Sequence, residues 1–89
     1  MKKVTVFGSP LWEECKPVRE YLLENKIEFD YIDITDSMRS LKIFLAFRDK
    51  DPYFDPIKKR GSVGIPTIMV GHGEKFIPGS TDLDLDELR

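Results

Sequence analysis

Eighty-nine residues, 40% hydrophobic and 34% charged, suit one small domain with a single core and a thin stability margin. A formal net charge of −2 offers no basic surface for nucleic acid, and no apolar run approaches the ~20 residues of a membrane span. One cysteine and one histidine exclude an internal disulfide framework and a cysteine-rich metal centre; without a charged-then-apolar leader, the expected compartment is the cytoplasm.

Residues 3–7 alternate β-branched and aromatic side chains and predict a first strand, broken by Gly8, Ser9 and Pro10. A helix is expected from Glu13 or Glu14 to Asn25, with Val18, Tyr21 and Leu22 on its apolar stripe. Pro17 is tolerated only in a first turn, which fixes the helix start close to Cys15. Residues 28–34 predict a second strand carrying Phe29, Tyr31, Ile32 and Ile34. Thr35-Asp36-Ser37 supplies caps for a second helix, with Met38, Leu41, Phe44 and Leu45 inward and an end near Arg48, ahead of Asp51-Pro52.

Residues 49–64 are polar and interrupted by proline and glycine, with a short helical turn expected around 54–60. Thr67–Val70 and Lys75–Ile77 predict a hairpin joined through Gly71-His72-Gly73. Ser80-Thr81-Asp82 predicts the cap of a last helix reaching Arg89. The order is β-α-β-α-β-β-α: an α/β domain spanning 1–89, in which the first two strands pair in parallel within a four-stranded mixed sheet.

Three segments carry chemistry. Cys15 stands at a helix start, where the helix dipole lowers a thiol pKa. Ile65-Pro66 is an X-Pro bond that adopts cis at only ~0.5–1 kcal/mol, which would turn the Ile65 N–H and C=O toward an extended peptide. Thr81 and Asp82 would offer a hydroxyl, free N–H groups and a carboxylate to a ligand with both a carboxylate and an ammonium.

Together these segments resemble the glutaredoxins, of the thioredoxin fold. Phe7 precedes Cys15 by the family's spacing from strand-end aromatic to second active-site cysteine, so Trp12-Glu13-Glu14-Cys15 fills the Cys-x-x-Cys slot. Gly64-Ile65-Pro66-Thr67 resembles the Thr-Val-Pro segment, with its cis proline facing the thiol. Ile77-Pro78-Gly79-Ser80-Thr81-Asp82-Leu83 resembles the Ile-Gly-Gly-x-x-Asp-Leu segment that holds the γ-glutamyl end of glutathione. The longer, more charged stretch from Asp36 to Gly64 looks like a bacterial glutaredoxin-related branch. The resemblance implies a glutathione site at Trp12, Ile65, Pro66, Thr81 and Asp82 and a thiol function at Cys15. It implies no resident cofactor or metal, glutathione or a protein disulfide or peptide as partner, and a monomer.

Trp12 replaces the family's nucleophile and leaves only the resolving position. Glu13 and Glu14 disfavour a thiolate at Cys15. Ser9 stands where a basic residue often meets the glycine end of glutathione, a role left to Lys16 or Arg39. Three functions follow as expectations: a redox protein working through Cys15 with weakened or lost reductase activity, a binding module that has lost the chemistry, and, at more distance, a shared iron–sulfur cluster.

Overall fold

A computed structural model describes residues 3–89. Val4–Gly8 forms β1, Cys15–Glu24 α1, Asp30–Asp33 β2 and Met38–Arg48 α2. A 3-10 turn at Pro52–Phe54 leads into the short α3, Asp55–Lys59. Thr67–Val70 is β3 and Lys75–Pro78 is β4. The sheet runs β2-β1-β3-β4, with β1 and β2 parallel and the other two pairs antiparallel, so it is the mixed four-stranded sheet that the sequence predicts. Among the described residues, no helix is long and apolar enough to cross a membrane.

Strand alternation sorts the core onto two faces. Val4, Val6, Ile68, Val70 and Ile77 face α1 and pack with its Val18 and Leu22. Phe7, Met69 and Phe76 face the other way, against Phe44 of α2 and Phe54. This second face is an aromatic cluster, with Phe44 lying 5.3 Å from the Phe7 ring and meeting Phe54 edge-on at 5.7 Å.

Cys15, Val18 and Leu22 are the buried stripe of α1, and Pro17 falls in its first turn. Lys26, at φ 59°, ends the helix in the left-handed region, with Ile27 N–H donating to Leu22 O at 3.0 Å. Ser37 caps α2 by accepting from Ser40 N–H at 3.1 Å.

Two expectations need correction. Met38 does not face inward: it is 72% exposed, and Phe44 is the wholly buried residue of α2. Met38 opens the helix on the outward side, one turn before Lys42. Nor does a last helix run from Ser80-Thr81-Asp82 to Arg89. Thr81 and Asp82 form a turn, and only Leu85–Leu88 coil, as a 3-10 segment capped by the Asp84 side chain. Leu83 and Leu85 both pack on the α1-side core. A spacing of two would put them on nearly opposite sides of an α-helix, so their burial selects extended backbone.

Candidate functional site

The topology gathers the singled-out residues at one end of the sheet. Phe7 pairs with Thr67, and Thr67 with Pro78, so the Gly8 end of β1, the Pro66 end of β3 and the Gly79 end of β4 lie side by side. The Ile65–Pro66 peptide bond is cis. Gly79 N–H donates to Pro66 O at 3.1 Å. A Cβ on Gly79 would come within 2.9 Å of the Pro66 ring, so the close approach of these two segments needs glycine. Thr67 Oγ1 donates back to Gly64 O and closes the loop before the proline.

The loop from β1 into α1 is built around Ser9, which is buried. Its hydroxyl meets Thr35 Oγ1 at 2.8 Å and accepts from Leu11 N–H at 3.0 Å. Trp12 N–H donates to Ser9 O, and Cys15 N–H to Trp12 O. These bonds hold a turn that presents Leu11 and Trp12 outward, 80% and 46% exposed. Ser9→Ala is expected to destabilise the domain by roughly 1–3 kcal/mol, because Leu11 N–H and Thr35 Oγ1 lose a partner. Urea denaturation measures this, and a change within ~0.5 kcal/mol, the ordinary surface range, would show the bonds to be dispensable.

Cys15 is the first residue of α1, and only 1% of it reaches solvent. Its Sγ accepts from Ser9 N–H at 3.4 Å. Burial pushes the thiol pKa above its ordinary value. The Ser9 hydrogen bond pulls it down, and the Glu14 and Asp33 carboxylates push it further up. Burial therefore outweighs the helix start that the sequence suggests would activate it. The outcome is a protonated thiol beneath a closed loop.

Tyr31 is the residue that sequence reasoning read only as an apolar strand position. A Cβ on Gly8 would meet Tyr31 Oη at 2.7 Å and Cys15 Sγ at 3.1 Å, so hydroxyl and thiol converge on the bare face of that glycine. Arg19 lies over the Tyr31 ring, 4.7 Å from its centre. Burial raises the Tyr31 pKa, and Cys15 and Asp33 raise it further against the pull of Arg19. Its signal was the parallel register, in which Val6 pairs with Tyr31 and thereby fixes Tyr31 on the α1 side of the sheet.

The other predicted residues divide. Pro66 is buried and Ile65 half-buried, and the Ile65 N–H and C=O enter no turn or loop hydrogen bond among the described residues. Thr81 and Asp82 are exposed, and Asp82 Oδ1 accepts from Ser80 Oγ at 2.8 Å. They offer a hydroxyl and a carboxylate but no helix start. Among the described residues, no group of three or more His, Cys, Asp or Glu could hold a metal ion. A cleft of about 700 Å³ lies at the other end of the sheet, between Lys3, Phe29 and Leu88.

No protein-family profile matches this chain. It is 28% identical over 89 residues to an uncharacterized protein of Haemophilus influenzae, a match covering 100% of this chain and 96% of the other.

Proposed function

We propose that this chain is a glutaredoxin-like domain of thioredoxin fold that binds an extended cysteinyl peptide, glutathione being the smallest, without exchanging thiols. The carrying observation is the contrast at the β1–α1 loop: Cys15 is sealed and protonated, while Trp12 stands exposed in the nucleophile's place. Thiol exchange needs a thiolate with a line of attack, and Cys15 has neither. The mixed sheet order and the cis-proline entry to β3 support the fold assignment.

In this reading the ligand backbone pairs with Ile65 N–H and C=O in the manner of an added strand. The Trp12 ring forms a floor for the ligand, and Pro66 holds the groove's shape. Thr81 contributes a hydroxyl and Asp82 a carboxylate for the ligand ammonium.

The test titrates isotope-labelled protein with S-methylglutathione, which has no free thiol, and follows backbone amides and the indole by NMR. Saturable shifts are expected at Ile65, Thr67, Asp82 and the Trp12 indole, unchanged in Cys15→Ser. A glutathione-coupled disulfide reduction assay should give the background rate for both proteins. A rate that depends on Cys15 would instead favour a redox protein working through one thiol, and no saturable shift would end the binding reading.

A further inference from the structure

Charge is unevenly divided along the chain. Residues 38–60, which hold α2, the 3-10 turn and α3, contain seven Lys and Arg against three Asp and no Glu. The rest of the chain contains seven against thirteen acidic residues. A protein with net charge −2 thus carries a basic side, and it is the side built over the aromatic core.

Two of those cations are internally engaged. Arg48 donates to the carbonyls of Ser62 and Val63 at 2.8 Å, and Lys58 lies 3.6 Å from Asp55 and 3.4 Å from Asp49 O. Arg39, Lys42, Lys50, Lys59 and Arg60 are exposed, and among the described residues they form no ion pair. On α2, Arg39, Ile43 and Ala46 follow helical spacing along the outward side, with Met38 and Lys42 beside them, and Lys50 stands in the turn just past the helix end. Ile43 and Met38 are exposed large apolar residues. The Lys58–Asp49 contact brings α3 to the end of α2, so Lys59 and Arg60 extend the same basic side.

We infer that this face docks an acidic amphipathic segment of a partner protein, its apolar side chains seated on Met38, Ile43 and Ala46 and its carboxylates on Arg39, Lys42, Lys50, Lys59 and Arg60. Charge complementarity selects an anionic partner, and the apolar centre selects one with matching apolar side chains. The face exposes no aromatic ring on which bases could stack, and the acidic remainder of the chain opposes a long polyanion. A second copy of this chain, offering its own acidic side, would add head to tail as a ring or an open filament, a less common arrangement than a two-fold pair, so it is the poorer occupant. The inference stands apart from the peptide groove at Pro66, since it uses none of that groove's residues.

The test titrates the intact labelled protein with a synthetic helical peptide carrying Glu on one side and Leu and Phe on the other. A Lys-for-Glu version of that peptide, vesicles of phosphatidylglycerol and a single-stranded oligonucleotide are run in parallel. Saturable shifts confined to α2 and residues 58–60 are expected with the acidic peptide and not with its lysine version, weakening as salt rises. Arg39→Glu with Lys42→Glu should weaken binding by about tenfold or more, and Ile43→Ser should weaken it without altering the amide spectrum elsewhere. The inference fails if the acidic peptide does not saturate, if the lysine peptide binds equally, or if vesicles or oligonucleotide bind more tightly.

Discussion

Phe44→Ala is expected to lose about 3–5 kcal/mol of folding stability, the largest effect of any single substitution considered. Phe44 is 0% exposed and is the wholly buried residue of α2. Its ring touches Phe7 of the central strand and Phe54 of the 3-10 turn, so it ties the sheet both to α2 and to the segment leading into α3. Truncation removes the transfer free energy of the ring and opens a cavity whose walls are rigid aromatic rings, which relax poorly. A domain of this size has only about 5–15 kcal/mol in total, so the variant should sit close to its unfolding margin. Ile43→Ala, one residue earlier but on the outward side at 39% exposed, should fall much nearer the surface range of about 0.5 kcal/mol. Urea unfolding of both variants distinguishes the cases. A Phe44→Ala loss no larger than that of Ile43→Ala would mean that α2 does not anchor this core.

That contrast marks how far the sequence could be read. Helical spacing alone makes Met38, Leu41, Phe44 and Leu45 one inward group, and three of the four do pack inward. Met38 fails because it sits at the outward edge of that group, in the first turn of α2 and one turn before the exposed Lys42, where it is left 72% exposed. The four strands and the hairpin were legible because β-branched and aromatic alternation is strong there and glycine marks the turns. The C-terminal segment departs from the expected helix because Ser80-Thr81-Asp82 has cap chemistry, and a cap says nothing of whether a helix follows. The decisive pattern was Leu83 and Leu85 two residues apart with Asp82, Asp84 and Asp86 between and beside them, a period of two in an acidic run.

At the site, the sequence placed Cys15 at the helix start and Pro66 at the strand entry, and both stand there. Burial was hidden from it. A helix-start cysteine is activated only if solvent or a cation faces it, and the Ser9 loop, Tyr31 and two carboxylates face this one. Ser9 read as a missing cation; folded, it is the hinge pin of the loop that closes over the thiol.

Native Cys15 is expected to react with iodoacetamide at pH 7 at least ~100-fold more slowly than Cys15 in urea-unfolded chain, because reaction must wait for local opening and for deprotonation. An opening that costs about 3 kcal/mol already supplies a factor of that size. The pH dependence follows from the direction of the shift. Burial first, then Glu14 and Asp33, hold the folded thiol protonated to higher pH than the unfolded one, against the Ser9 N–H. The contribution of Cys15 to stability is therefore fully present below the ordinary thiol value of about 8.5 and is lost as pH rises through the folded value. Tyr31 and Tyr53, whose pKa values burial also raises, add the same sign of loss at still higher pH. Stability should fall on the alkaline side, and Cys15→Ser should remove the thiol's share and lessen that of Tyr31, whose pKa the thiol helps to raise, while leaving the share of Tyr53 intact. Alkylation at the rate of a free cysteine at pH 7, or an identical alkaline slope in the variant, would contradict a sealed thiol. It would also return Cys15 to candidacy as a nucleophile, since an open, ionising sulfur at a helix start is the very arrangement that thiol exchange requires.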